Sequence, residues 1–356
     1  SNMNVGSVTV DNNTLTDAWY YGIYDYYYSR YYSISHNTIQ SRSNSGIFYG
    51  IYSYYYGTID TFSNNKIKLT TTSTSYGVYS SYYQNYSASY GSNAPRYIAN
   101  NEIIISSTSG TCYGFYDISN TSYSRYDIFN NSVYISTSST AYGLRLYPGT
   151  STTYKYTVEN NNVYLNTTGT GYLLYFGDIA NATTSMCPCD YNNYYKPSGT
   201  SYYGSTSYTS LSSWQSGMSQ DRYATNVNPN YTNPLVDLIP NASLLSTQIS
   251  TPYDKVGNRR MASNNNKGCY ALIQNLDAGI ATFITPTTSA IVGSNNPVQV
   301  QLRNYGKTTL TSVTIHWTID GVSQTSLNLT GISLPMFTDT LITLGNFIPS
   351  TSKTSV

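Results

Sequence analysis

The stretch "IANNEIIISSTSGTCYGFY", residues 98–116, carries the pattern that decides the fold. An apolar position, Ile98, stands three residues before Asn101. The asparagine pair Asn100-Asn101 then leads into the aliphatic Ile103. About a dozen residues after the pair comes Tyr113-Gly114-Phe115-Tyr116. The three apolar anchors sit in short runs that alternate with a period of two, the periodicity of a strand with one buried face.

Outward from this stretch the pattern recurs. The asparagine motif returns as Asn12-Asn13-Thr14-Leu15, His36-Asn37-Thr38-Ile39, Asn64-Asn65-Lys66-Ile67, Asn130-Asn131-Ser132-Val133 and Asn160-Asn161-Asn162-Val163. A degenerate last copy is Asn192-Asn193-Tyr194-Tyr195. The second motif returns as Tyr21-Gly22-Ile23-Tyr24, Tyr49-Gly50-Ile51-Tyr52 and Tyr76-Gly77-Val78-Tyr79, with variants Tyr142-Gly143-Leu144-Arg145 and Tyr172-Leu173-Leu174-Tyr175. The leading apolar position is matched by Ile34, Phe62, Ile128 and Val158. Intervals between copies run from 24 to 36 residues, so constant strands are joined by loops of changing length. Three short strands per repeat predict an all-β chain: a right-handed parallel β-helix of about seven coils whose stacking buries one continuous core.

The asparagines fit such a stack. Asn tolerates a left-handed corner, and its amide both donates and accepts. At the ~4.8 Å strand spacing identical amides can bond from coil to coil. Asn13, Asn37, Asn65, Asn101, Asn131, Asn161 and Asn193 are therefore the expected structural ladder.

Tyrosine is the other signature, with 43 in the chain and eight between Tyr20 and Tyr32. Strict alternation from the inward aliphatics puts Tyr24, Tyr52, Tyr79, Tyr116, Arg145 and Tyr175 on the outer face, beside a bare strip of glycines. It puts Tyr21, Tyr49, Tyr76, Tyr113, Tyr142 and Tyr172 inside or at a corner, and Tyr26–Tyr28 and Tyr31–Tyr32 at the next corner and third strand. The outer column is the candidate ligand-binding surface, because a flat row of phenols can stack against sugar rings. The same column would also stabilise its sheet, by about 0.2–1 kcal/mol per cross-strand pair.

Composition narrows the function classes. Charged residues make up 9% of the chain, against roughly 25% in an average globular protein. The net charge is +1 and no basic block occurs, so a nucleic-acid footprint is missing. No run approaches the ~20 apolar residues of a membrane span. Ser1-Asn2-Met3 reads as a cleavage scar ahead of an internal fragment, with no signal peptide in view, so a longer parent protein is expected. The cysteines (Cys112, Cys187, Cys189, Cys269) are too few for a disulfide scaffold, and Cys187-Pro188-Cys189 has no neighbouring His or second Cys pair. No metal site and no cofactor are expected.

After Asn193 the phase decays. Leu211, Trp214 and Met218 predict a short amphipathic helix opening near Ser210, and the Pro-broken "VNPNYTNPLVDLIPNASLL" a cap over the last coil. From about Asp277 the run "VQVQLRNYGKTTLTSVTIHWTIDGVSQTSLNLT" predicts three strands joined by Asn-Tyr-Gly and Asp-Gly turns, with Trp317 inside the middle strand. The expected division is 1–275, a β-helix with its cap segment at about 196–275, and 276–356, an immunoglobulin-like β-sandwich short of its last strand.

These motifs carry a resemblance. Residues 12–195 resemble the right-handed parallel β-helix repeat proteins exported by bacteria with type IX secretion. "DYNNYYKPSGTSYYG…SSWQSGMSQD" is similar to their terminal coil and cap, and "TPYDKVGNRR" to the close of such a domain. The later strands resemble bacterial cell-adhesion-related immunoglobulin-like modules. The resemblance implies a secreted or cell-surface location. It supports architecture better than activity, since such proteins include adhesins and lyases.

The helix region's carboxylates are Asp17, Asp25, Asp60, Glu102, Asp117, Asp127, Glu159, Asp178 and Asp190. Only Asp25 and Asp117 share a repeat position, and three coils at ~4.8 Å separate them by about 14 Å, beyond a glycosidase pair. His36, in an asparagine's place, shows no acid partner in the sequence. The leading expectation is a non-catalytic extracellular adhesin segment whose tyrosine face binds glycan or another surface. The alternatives are a polysaccharide lyase or hydrolase, and a structural stalk or binder of an ordered lattice such as ice or crystalline polysaccharide.

Overall fold

A computed structural model describes residues 8–26, 30–43, 46–54, 58–81, 96–118, 126–148, 156–178, 180–183, 187–198, 200–204, 208–261, 263–286 and 291–349. It divides into two compact units, Ser1–Leu272 and Ile273–Val356.

The first unit is a parallel β-solenoid. Its strands fall into three parallel sheets of seven, and each sheet takes one strand from every coil. The coil quoted above contributes Arg96–Ala99 to the first sheet, Glu102–Ser107 to the second and Cys112–Asp117 to the third. Register follows the repeat: Ile98 pairs with Phe62 and Ile128, Ile103 with Ile67 and Val133, and Phe115 with Val78 and Leu144. These residues belong to one buried cluster that runs from Ile23 to Ala224.

The two asparagines of each pair do different work. The first takes the left-handed corner: Asn12, Asn64, Asn100, Asn130 and Asn160 have φ between 53° and 57°, and His36 stands in for Asn at 54°. The second builds the ladder. Its Nδ2 donates to the next coil's Oδ1 from Asn13 to Asn37 (3.0 Å), Asn65 (3.1 Å), Asn101 (3.0 Å), Asn131 (2.9 Å) and Asn161 (3.0 Å). The same Oδ1 also accepts the backbone N–H of the asparagine before it, as Asn101 does from Asn65 at 3.0 Å. Each amide thus replaces backbone pairing at a corner where the strands break.

At the last rung the expected Asn193 is not the ladder residue. Asn161 donates to Asn192 at 3.0 Å, while Asn193 pairs with Asn162. The motif slips by one because Tyr191, with φ 57°, takes the left-handed corner. The sequence pair Asn192-Asn193 therefore sits one place later than the pairs before it.

The helix Leu211–Met218 closes this end, opened by a capping box on Ser210. Trp214 is fully buried and lies against Phe176 and Tyr203. The Pro-broken segment after it starts on the last coil, where Val227 exchanges bonds with the Asn193 side chain, but it does not stay there. It turns back and runs along the asparagine corner: Tyr231 accepts from Asn162, the Leu238 N–H donates to Glu102, and Lys66 reaches the Val236 carbonyl. Asn100, Asn130 and Asn160 donate to Tyr253, Gly268 and Gln248 carbonyls in turn. Corner asparagines whose ladder duty is taken by their neighbours are free to hold a strap.

The second unit is antiparallel. Ala278–Thr285, Asn296–Asn304 and Asp339–Phe347 form a three-stranded sheet, and Leu310–Ile315 pairs with Leu327–Leu334. Asp320-Gly321 makes the expected turn, both residues at positive φ, between Thr318–Ile319 and Val322–Ser323. Trp317 differs from expectation. It falls in the break before Thr318, half-buried, and its indole N–H donates to the Thr325 carbonyl.

Candidate functional site

The third sheet carries the tyrosines, and its local geometry departs from strict alternation. In Phe48–Tyr54, Gly50 and Ile51 both turn inward, while Tyr49 and Tyr52 both turn outward. The same order holds in Ser75–Ser81, Cys112–Asp117 and Ala141–Leu146. The glycines are not a bare outer strip; they are the inward residues that shift the phase. A Cβ on Gly77 would lie 2.5 Å from the Gly114 carbonyl oxygen and 2.6 Å from Ile103 Cγ2. Only a hydrogen fits between coils there. Leu173 ends the column, where register to the final strand shifts.

That phase shift puts both tyrosine columns outside, a correction to the expected inner column. Tyr49, Tyr76, Tyr113, Tyr142 and Tyr172 stack at centroid distances of 4.6, 4.7, 4.9 and 4.9 Å, with interplanar angles of 2° to 7°. Tyr24, Tyr52 and Tyr79 stack at 5.4 and 4.9 Å, and Tyr116 follows at 5.2 Å. Between columns the rings stand across one another, at 81° for Tyr49–Tyr52 and 86° for Tyr76–Tyr79. Coils ~4.8 Å apart are too far for rings stacked squarely, so rings that touch must lean. The two columns lean in opposite senses. Much of each ring face is therefore spent on the next ring, and the surface shows edges and hydroxyls.

Of the predicted site residues, Tyr24, Tyr52, Tyr79, Tyr116, Arg145 and Tyr175 share one outward column in register. Tyr24, on the first coil, is 46% exposed, and the later members are half-buried. Tyr26 and Tyr54 add part of a third column, stacked at 6.0 Å. Tyr27 and Tyr28 lie outside the described residues, as do the side chains of Tyr31 and Tyr32. Burial raises the phenols: Tyr116 and Tyr142 are pushed up to about 12, and Tyr52 and Tyr76 are raised further. All four remain hydrogen-bond donors near neutral pH.

Arg145 is the charged residue in this aromatic field. Its guanidinium carbon lies 4.8 Å from the Tyr116 centroid, 5.0 Å from Tyr142 and Tyr175, and 5.6 Å from Tyr113 and Tyr147. Nη2 donates to the Tyr147 hydroxyl at 2.8 Å and Nη1 to Tyr113 at 3.3 Å. Tyr147, adjacent to the variant motif, was not singled out by the repeat.

The acids lie elsewhere. Asp25 and Asp117 occupy one repeat position, as expected, but face inward and are fully buried, each accepting from a serine, Ser53 and Ser80. Glu102 is buried under the strap, near Lys66 (3.5 Å) and bonded by Tyr270. His36 does have an acid partner, Asp11 at 3.0 Å on the preceding coil, and this bond lowers the Asp11 pKa. Glu159 and Asp190, adjacent in register, line a cavity of 310 Å³ with Asp221, Arg222 and Gln248. Burial, with Asp190 and Asp127 nearby, raises Glu159. Ser250 donates to Glu159, and the Tyr191 and Tyr223 N–H groups donate to Asp190. Among the described residues no cluster of three His, Cys, Asp or Glu is placed to hold a metal. The four cysteines are buried thiols, unpaired with one another.

Compared with protein-family models, with curated proteins and with solved structures, the chain matches none.

Proposed function

We propose that this chain is a non-catalytic extracellular segment of a surface protein and binds glycan through the doubled tyrosine face of the third sheet. The observation that carries the reading is the pair of outward columns. Holding aromatic rings on consecutive coils leaves a contiguous aromatic surface, which commonly marks a binding site. Phenols that stay protonated supply donors and acceptors for sugar hydroxyls, and ring edges supply apolar contact. The low charge and the resemblance to type IX-exported β-helix and adhesion-module proteins support a cell-surface setting.

The test is a binding screen of the whole chain against soluble and insoluble polysaccharides, with the triple variant Tyr52→Ala/Tyr79→Ala/Tyr116→Ala beside it. Binding lost by a variant that still folds supports the face. Retention only on crystalline polysaccharide, or inhibition of ice recrystallisation, would move the reading to a lattice binder. A folded protein that retains nothing would leave a structural stalk.

A second reading, glycan cleavage, keeps one observation: the cavity with Glu159 raised beside Asp190 and Arg222. Both carboxylates there already fasten the cap and strap, which favours a structural role. Release of reducing ends or unsaturated products from a polysaccharide would establish cleavage.

A further inference from the structure

We infer that Arg145 forms an anion subsite within the tyrosine face, so that the glycan this surface takes is acidic, carrying a carboxylate or a sulfate ester. The inference rests on the glycan-binding reading above and names the ligand class for the same surface.

Arg145 replaces a tyrosine in the outer column, between Tyr116 on one coil and Tyr175 on the next. A guanidinium has five N–H donors and no acceptor. Two of them reach the hydroxyls of Tyr113 and Tyr147. The Nε–H is buried with no partner. Among the described residues the ion pairs engage His36, Lys66, Lys255 and Arg303, and none engages Arg145. A half-buried cation normally has a carboxylate opposite it. Here five neutral rings hold the charge by cation–π contact, which fixes the side chain without neutralising it.

The two phenols extend the subsite. Each oxygen that accepts from the guanidinium keeps its own hydrogen to donate. An anionic oxygen approaching the half-buried guanidinium would meet the remaining N–H of each Nη, flanked by hydroxyl donors, a pairing that suits carboxylate and sulfate. The rows of Tyr residues on neighbouring coils would lie along the sugars on either side of it. A neutral glycan would use the same rows but leave the cation unpaired.

The experiment uses the full chain and measures affinity for three polymers at low salt: a uronic-acid homopolymer, a sulfated dextran and unsulfated dextran. The variants are Arg145→Tyr, which restores the residue found elsewhere in the column, and Arg145→Lys, which keeps the charge without the fork. Thermal melts confirm folding. Wild type is expected to prefer one acidic polymer over dextran by about tenfold or more, the worth of a charge-assisted bond. Which acidic polymer is preferred tells carboxylate from sulfate. Arg145→Tyr is expected to lose that preference and Arg145→Lys to retain only part of it. A preference that survives in Arg145→Tyr overturns the subsite. So does wild-type binding to dextran as strong as to the acidic polymers, which leaves the glycan reading standing. Binding to none of the three defeats the subsite, and the polysaccharide screen then decides the broader reading.

Discussion

Asn192 donates its side-chain amide to Asp221 at 2.9 Å, and the ladder that begins at Asn13 ends on that carboxylate. Every earlier rung passes its amide hydrogen to another asparagine. Asp221 takes the last one without needing a partner beyond it, as an acceptor-only group should. Its second oxygen accepts from the Trp214 indole at 2.9 Å and the Tyr194 hydroxyl at 3.3 Å. Ladder, core and capping helix meet at this one side chain. Asp221→Ala strands three buried donors and is expected to cost about 2–4 kcal/mol in urea unfolding. A loss within ~0.5 kcal/mol would mean that the cap is held by apolar contact with Trp214 alone.

The same carboxyl sets a pH dependence. Burial raises Asp221 from 3.8 to about 6, against the pull of Asn192, Trp214 and Tyr194. A carboxyl with a higher pKa folded than unfolded binds its proton more tightly in the folded chain. Its contribution is therefore full below about pH 4 and is lost as pH rises through about 6. A shift of this size corresponds to at most about 3 kcal/mol. Glu159 and Asp254 are also raised by burial, so the informative quantity is a difference between proteins. Subtracting the profile of Asp221→Asn from that of wild type should leave a fall between pH 4 and 6. A flat difference would show that the carboxyl does not titrate in that window.

The glycine column is expected to be intolerant. Gly77→Ala places a methyl 2.5 Å from one backbone oxygen and 2.6 Å from Ile103, and both belong to neighbouring packed strands. Neither can retreat without spreading the coils. The substitution should cost about 3 kcal/mol or more, or prevent folding. Gly46→Ala meets nothing within 4 Å and should stay within ~0.5 kcal/mol of wild type. Equal, small effects at both positions would remove the steric account of why two tyrosine columns face out.

Within the ladder, acceptor and donor roles can be separated. Asn101 accepts from the Asn65 amide and backbone N–H and donates to Asn131 Oδ1 and the Phe62 carbonyl. Asn101→Ala leaves buried Asn65 donors unsatisfied, a cost of about 2–4 kcal/mol. Asn101→Asp keeps the acceptor but turns an oxygen toward two acceptors. It should destabilise at least as much as alanine in thermal melts at neutral pH. A milder effect for Asp would mean that the rung needs only its acceptor.

Periodicity and the asparagine phase made the solenoid legible, because a repeat must place equivalent residues equivalently. The tyrosine face was legible by half. Parity puts Tyr49 with Ile51, and the inward turn of Gly50 that breaks parity comes from contact with the next coil, which no single strand reveals. The ladder's last rung was misplaced for a related reason: Tyr191 takes a corner that asparagine marks elsewhere. Arg145 was visible as an interruption of its column, but the five rings around it depend on two neighbouring coils and on Tyr147. The strap left only a faint trace. In a chain with few charges, Asp254, Lys255, Arg259, Arg260 and Lys267 fall close together, and long-range docking of a Pro-broken segment has no period to betray it.

Arg260 is a buried anchor of the strap, 3% exposed. It donates to the Asn266 and Gly268 carbonyls at 2.8 Å, to Asn100 Oδ1 at 3.2 Å and to the Thr251 hydroxyl at 3.2 Å. Three of these acceptors hold the strap's own shape and one ties it to a coil corner. Desolvation pulls the guanidinium down to about 10, with Asp254 opposing, so it stays charged near neutral pH. Arg260→Ala should cost about 3–5 kcal/mol locally, as loss of a buried, hydrogen-bonded cation does. Because the coils keep their own ladder, the loss should appear as strap release rather than global unfolding. Limited proteolysis is then expected to cut Arg260→Ala between residues 226 and 272 well before it cuts the wild type, with the solenoid surviving as a resistant product. Cleavage spread evenly over both regions would mean that strap and coils unfold as one unit, and that the corner asparagines need the strap to keep their conformation.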